Sequence, residues 1–165
     1  MTRVLLADDH PMIRTALEVL LRGTGYEIVG TAGTGDAALA EVERLAPEIL
    51  LLDLQMPGGS GMDALRRARG RKSPLKIILL TAAIDDGALL EAKALKVQGI
   101  VLKNSDPAYL LDCLDSVEHG RTWFDPEIAE RARQLARSRK PGGRPPLAPR
   151  ERQLIGFVRK GLRNR

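Results

Sequence analysis

Ile49-Leu50-Leu51-Leu52-Asp53 is an unbroken apolar run closed by a carboxylate, and Leu54-Gln55-Met56-Pro57-Gly58-Gly59-Ser60-Gly61 follows it. A strand with one wet face alternates apolar and polar residues, whereas a strand covered on both faces does not. The run therefore reads as a buried parallel strand that ends in an acidic residue. Four similar runs flank it: Val4-Leu5-Leu6-Ala7, Glu27-Ile28-Val29-Gly30, Ile77-Ile78-Leu79-Leu80 and Ile100-Val101-Leu102. Amphipathic segments lie between them. Ile13, Leu17, Leu20 and Leu21 share one helical face behind Pro11, which suits a first turn. Asp106-Pro107 opens another helix, with Leu110, Leu111, Leu114 and Val117 inward. Five strand–helix units with short connections predict an α/β fold, a doubly wound five-stranded parallel sheet in the order 2-1-3-4-5.

The residues closing the apolar runs carry the chemistry. Strand one ends in Asp8-Asp9, strand three in Asp53, strand four in Thr81 and strand five in Lys103. In a parallel sheet these ends lie on one rim, where open α/β folds place their sites. Strand two ends in Thr31-Ala32-Gly33 and adds nothing, as befits the far edge. Crowded carboxylates are relieved by a divalent cation, and all-oxygen ligation suits Mg²⁺. Asp9 and Asp53 are expected to bind it directly, Asp8 through water, and Gln55 through its backbone carbonyl. A carboxylate is also a nucleophile toward phosphorus, and a transferring phosphoryl group needs cations and donors more than acid–base catalysis. Lys103 and Thr81 supply these, and Gly58, Gly59 and Gly61 open the loop to the phosphoryl oxygens. Taken singly, a strand-end Asp is a cap or turn residue (Asp9 suits the helix at Pro11), Thr81 a cap, and Lys103 a solvated side chain. Their coincidence at four strand ends argues for a site. His10 reads equally as a rim residue shaping access and as plain surface.

The net charge of +5 conceals two opposite parts. Residues 1–120 hold 13 Lys/Arg against 17 Asp/Glu, and residues 121–165 hold 13 against 4. A basic segment suits nucleic acid, and equally a solvated linker. Within it, Asp125-Pro126-Glu127 opens a helix to about Leu135. Arg137 to Pro146 reads as a flexible basic linker. A last helix starts near Pro149, with Leu154, Ile155 and Val158 as its apolar stripe. The single cysteine, Cys113, excludes an intrachain disulfide and reads as a packing residue. No run approaches the roughly 18 apolar residues of a membrane span, and no signal peptide precedes Asp8. A cytoplasmic location is expected, with no membrane partner.

The pieces VLLADDHPMIR (4–14), LLLDLQMPGGSG (50–61), IILLTA (77–82) and IVLK (100–103) resemble the receiver domain of bacterial two-component response regulators, with its CheY-like, flavodoxin-like fold. The resemblance implies that Asp53 is the phospho-acceptor served by a histidine kinase, and that Asp8 and Asp9 serve Mg²⁺. It implies that Thr81 and Lys103 sense the phosphoryl group and reposition the surface of the fourth and fifth helices. Asp8-Asp9-His10-Pro11, Gly120 to Pro126 and Leu147 to Ile155 resemble the NarL/FixJ subfamily, whose output is a LuxR-type helix-turn-helix. Gly161-Leu162-Arg163-Asn164 matches the end of that module's first helix. The implied division is a receiver at 1–120, a helical linker and basic stretch at 121–146, and an incomplete DNA-binding module at 147–165. Phosphate contacts then fall to Arg150, Arg152, Lys160, Arg163 and Arg165. The family's module continues to a recognition helix, so the sequence reads as a shortened regulator with weak or no DNA binding, whose full-length parent binds DNA. A phosphorylation-dependent homodimer is also implied. Some positions depart from the family. Ile100 replaces an aromatic at the switch position three residues before Lys103. Gly59 replaces a larger apolar residue. Lys96-Val97-Gln98 replaces small residues and is expected to alter the fourth-helix surface. Ala148 replaces a capping Thr.

Two other functions compete. A stand-alone receiver or phosphate sink would act through protein contacts alone. Haloacid-dehalogenase-type phosphatases use the same residue types, but place the nucleophile after the first strand with an acid two positions later. Here Asp53 follows the third strand and Gln55 stands at that position. No enzymatic turnover is expected beyond self-phosphorylation and self-dephosphorylation on Asp53.

Overall fold

The computed structural model of the chain describes residues 1–57, 61–71 and 73–138. The strands are β1 (Thr2–Ala7), β2 (Tyr26–Ala32), β3 (Ile49–Leu52), β4 (Lys76–Thr81), β5 (Gly99–Leu102) and β6 (Trp123–Phe124). The helices are α1 (Pro11–Leu21), α2 (Gly35–Leu45), α3 (Gly61–Arg69), α4 (Asp86–Ala94), α5 (Pro107–Glu118) and α6 (Pro126–Ser138). The sheet is parallel throughout, in the order β2-β1-β3-β4-β5-β6. The expected five-strand order holds, and β6 extends it by one short strand. Trp123 N–H donates to the Gln98 carbonyl and Asp125 N–H to that of Ile100, which fixes β6 on the edge.

The uninterrupted apolar runs are explained by burial on both faces. Val4, Leu6, Ile49, Leu51, Ile78, Leu80 and Val101 pack with Leu17 and Leu21 of α1 and with Leu110, Cys113, Leu114 and Val117 of α5. The alternate residues Leu5, Leu50, Leu52, Ile77, Leu79 and Ile100 are equally buried, since the period of two sends them to the other face. There Ala38, Leu39, Ala64, Leu65 and Leu89 of α2, α3 and α4 are buried in turn. Gly99 permits the close approach of α5, because a Cβ there would collide with Cys113 Sγ.

Within Lys96-Val97-Gln98, the last side chain turns inward to the sheet. Gln98 Oε1 accepts from Ile77 N–H at 2.8 Å and from Arg69 Nη2 at 2.6 Å. The same guanidinium donates to the carbonyls of Leu75, Leu95 and Lys96. Burial lowers the Arg69 pKa, and the ring of acceptors keeps its charge satisfied. α3, the start of β4 and the α4–β5 turn are thus laced together.

The chain divides into two compact units, Met1–Ile128 and Ala129–Arg165. Ile128 in the first turn of α6 is fully buried. Later in α6, Arg133 and Gln134 pair with Glu130 within the helix. The expected last helix near Pro149, the Ala148 position, and Arg150, Arg152, Lys160, Arg163 and Arg165 lie outside the described residues.

Candidate functional site

β1, β3 and β5 end on one rim, with β4 between the last two, and the residues after their last apolar positions meet. Lys103 Nζ lies 2.7 Å from Asp8 Oδ2 and 3.1 Å from Asp53 Oδ2. The two carboxylates are buried, each 1% exposed, while the Asp9 side chain remains 34% exposed at the mouth. Gln55 N–H donates to Asp53 Oδ1 at 3.0 Å, so one oxygen of Asp53 is held by backbone and the other faces the ammonium. Burial lowers the Lys103 pKa, but the hydrogen bonds and charges of Asp8 and Asp53 raise it by more, and the net shift is upward. The ammonium is therefore a fixed countercharge.

Gly61 begins α3 immediately beside this floor. A Cβ on it would overlap the Asp53 carbonyl oxygen and Leu54 Cα, both backbone atoms that cannot swing aside. Its N–H donates to the Leu54 carbonyl at 3.1 Å. Gly61 thus serves close packing of helix on loop. Gly58 and Gly59 lie outside the described residues.

Thr81 and Ile100 are not in the cluster. Thr81 is fully buried and its hydroxyl donates to the Ala83 carbonyl at 2.9 Å. It stays tied to the site through backbone, since Lys103 N–H donates to the Thr81 carbonyl. Ile100 is fully buried in β5 between Leu79 and Phe124 in register.

His10 belongs to the cluster, and the sequence left its role open. Its Nδ1 lies 2.8 Å from Asp8 Oδ1, 3.3 Å from Asp9 Oδ1 and 3.9 Å from Asp53 Oδ2. Asp9 does not cap α1: the N-cap residue is His10, without a side-chain cap bond, and its backbone is extended (φ −96°, ψ 109°). The available signal was Pro11, which forces the preceding residue into that conformation and aims its side chain across the rim.

The donor set fits a divalent cation. Ligand atoms of Asp8, Asp9, His10 and Asp53 all lie within 4.8 Å of one another. Asp8 Oδ2 is buried and meets the Lys103 ammonium at 2.7 Å. Hard carboxylate oxygens so arranged suit Mg²⁺. A second group, Asp115, Glu118 and His119, is exposed, and Glu118 is occupied in accepting from the Thr2 and Tyr26 hydroxyls.

Known proteins resemble this chain in sequence and in fold. Residues 4–115 match the response regulator receiver domain. The transcriptional regulatory protein YdfI of Bacillus subtilis is 30% identical over 168 residues, covering 100% of this chain and 78% of its own. The nitrate/nitrite response regulator protein NarP of Escherichia coli is 35% identical over 172 residues, covering 99% and 77%. A crystal structure of a two-component response regulator of the LuxR family from Aurantimonas sp. SI85-9A1 superimposes with a TM-score of 0.75 at 30% identity, over 82% of this chain and 98% of that one. With an acidic rim on a 2-1-3-4-5 sheet and a family match over that same stretch, the chain belongs to the response regulator receiver domain family, among regulators of the NarL and LuxR type.

Proposed function

We propose that Asp53 accepts a phosphoryl group from a partner histidine kinase, and that this controls transcription through a LuxR-type DNA-binding module. The observation that carries the reading is the shared ammonium: Lys103 Nζ stands between the buried carboxylates of Asp8 and Asp53, with Asp9 beside them. Acceptor, cation ligands and countercharge occupy one rim.

In the reaction a carboxylate oxygen of Asp53 attacks phosphorus in line. The P–N bond to the kinase imidazole breaks, and its electron pair returns to that ring. The Gln55 N–H keeps Asp53 Oδ1 in place, leaving Oδ2 facing the cation side. Asp9, Asp53 and the Gln55 carbonyl, with Asp8 through water, would hold Mg²⁺, which would supply positive charge to the transferring group. Lys103 moves from carboxylate to phosphoryl oxygen. The Thr81 hydroxyl reaches the phosphoryl group by releasing the Ala83 carbonyl, which couples the acceptor to the β4–α4 loop. At Ile100 the response is a repacking of buried aliphatic carbon, since no ring is present.

On this reading residues 1–120 are the receiver, 121–146 the linker, and 147–165 the start of the DNA-binding module, with Arg150, Arg152, Lys160, Arg163 and Arg165 on phosphates. Phosphorylation favours a homodimer. The protein works in the cytoplasm, and among the described residues no helix is long and apolar enough to cross a membrane. An apolar groove along Ile13, Leu17, Leu20 and Leu110 opens beside Lys103 and suits the kinase.

Intact mass after acetyl phosphate treatment tests the proposal. One added phosphoryl group is expected, requiring both Mg²⁺ and Asp53, and absent from Asp53→Asn. A folded protein that stays unmodified, or a variant modified equally, overturns it.

A further inference from the structure

α4 is tied to its surroundings differently at its two ends. It closes in a Schellman turn: Lys96 takes the left-handed conformation (φ 59°), its N–H donates to the Lys93 carbonyl, and Val97 N–H donates to the Ala92 carbonyl. Val97 is buried, so the chain leaving the helix is anchored in the core. The carbonyls of Leu95 and Lys96, at the negative end of the helix, accept from Arg69 Nε at 3.0 Å and Nη2 at 3.2 Å. The same guanidinium holds the Leu75 carbonyl just before β4 at 2.8 Å and Gln98 Oε1 at 2.6 Å, and that oxygen also accepts from Ile77 N–H. One turn earlier on α3, Arg66 pairs with Glu91 of α4. At the other end the cap is local, with Asp85 accepting from Ala88 N–H at 2.8 Å. Gly87 stands in the first turn, where glycine weakens a helix, and Ala82, Ala83, Asp85 and Asp86 are exposed beside it. The Thr81 hydroxyl holds this segment by the Ala83 carbonyl.

We infer that α4 is a hinged helix: Arg69 and Gln98 pin its last turn to α3 and β4, and the segment from Ala82 to Gly87 swings from the sheet about that pin. Hydrogen bonds from a charged donor are stronger than neutral ones, and freeing the last turn breaks those of Arg69 to both Leu95 and Lys96. Freeing the first turn breaks the Thr81 bond and uncovers Ile84, while Leu89, fully buried in the second turn, marks where the opening stops. A partner that reads the state of Asp53 on this face meets a changed first turn and an unchanged last one. The direction of that signal rests on the proposed phosphorylation of Asp53, whereas the pin rests on the hydrogen bonds alone.

Residue-resolved amide exchange of the full chain tests the pin without phosphorylation. The amides of Leu95 and Val97 are expected to exchange about tenfold or more slowly than those of Ala88 and Leu89. Arg69→Met is expected to speed Leu95 and Val97 about tenfold or more and Leu89 less than about twofold, each taken relative to Leu79, whose place in the centre of the sheet reports global unfolding. Gln98→Ala, which removes the same acceptor from Arg69 and from Ile77, serves where Arg69→Met does not fold. The swing is read as the distance between nitroxides on Arg44→Cys in α2 and on either Ala83→Cys or Lys93→Cys, with the buried Cys113 left unlabelled. With Asp53 phosphorylated, the Ala83 distance is expected to shift by about 2 Å or more and the Lys93 distance to stay, whereas Arg69→Met lets Lys93 shift as well. Equal protection at both ends of α4, a pin variant that speeds both ends alike, or a phosphorylated protein in which Ala83 shifts no more than Lys93 overturns the hinge. A loss of the hinge by these readings leaves phosphorylation of Asp53 standing. A protein that shows the pin but takes no phosphoryl group keeps the hinge and overturns the proposed function.

Discussion

Replacing Lys103 by Met removes the charge and keeps most of the side chain's volume, leaving Asp8 and Asp53 buried without their cation. At an effective dielectric constant of about 20, the contacts at 2.7 and 3.1 Å have gross energies of about 6 and 5 kcal/mol. Desolvation offsets much of that, because only 11% of the Lys103 side chain is exposed. Removing one partner of a buried pair costs about 3–5 kcal/mol, and the open mouth at Asp9 puts this case at the low end. A loss of about 3 kcal/mol corresponds to a fall of roughly 9 °C in melting temperature for a chain of this length. Urea unfolding in EDTA, followed by the fluorescence of the single tryptophan, Trp123, measures it. The Lys103 ammonium is held above its ordinary pKa of 10.5 in the fold, so its contribution is fully present below pH 10.5. It is lost as pH climbs through the raised value, and Lys103→Met should show no such alkaline loss. Mg²⁺ at one hundred times its dissociation constant adds about 2.7 kcal/mol, and tighter binding makes the gain larger in the variant. A Lys103→Met protein as stable as the parent in EDTA would refute the premise that this ammonium compensates the carboxylates.

Gly61→Ala should lower stability by about 1–3 kcal/mol in the same unfolding assay and slow the proposed phosphorylation of Asp53, since the new methyl meets the Asp53 and Leu54 backbone. Cys113 is fully buried and its thiol pKa is pushed up to about 12, so a thiol reagent at pH 8 should leave the native protein unlabelled and react at once in urea. Ser105→Ala should cost about 1–3 kcal/mol by stripping a hydrogen bond from the buried Asp125 carboxylate, and hydrogen exchange should quicken at the start of α6.

What could be read from the chain follows from how each feature is encoded. Ile49 to Leu52 and its counterparts announce buried strands because burial on both faces leaves no alternation to confuse with a surface strand. The carboxylates and Lys103 are visible because they interrupt those runs abruptly. β6 leaves no such trace: two residues have no period, and its backbone bonds run to Gln98 and Ile100, more than twenty residues earlier. Arg69 is similarly silent, since three of its acceptors are main-chain carbonyls, which every residue possesses. Thr81 was placed on the right strand, yet its hydroxyl direction depends on a rotamer and on Ala83. His10 required knowing that the Asp53 carboxylate at the end of β3 would lie within reach of Asp8 and Asp9 at the end of β1.

The geometry also shows why a small event at Lys103 need not travel far. Ser105 follows Lys103 by two residues, and its hydroxyl donates to Asp125 Oδ2 at 2.5 Å. Asp125 is 3% exposed; its other carboxylate oxygen accepts from Glu127 N–H, and its own N–H donates to the Ile100 carbonyl. One residue, Asp125, thus joins the loop bearing Lys103, Ile100 on β5 and the first turn of α6. Displacing that loop relative to α6 strands a buried acceptor, at about 1–3 kcal/mol. That cost is comparable to typical coupling energies between linked sites. The two segments therefore move together, or the hydrogen bond to Asp125 breaks, and in neither case does the start of α6 stay indifferent to Lys103.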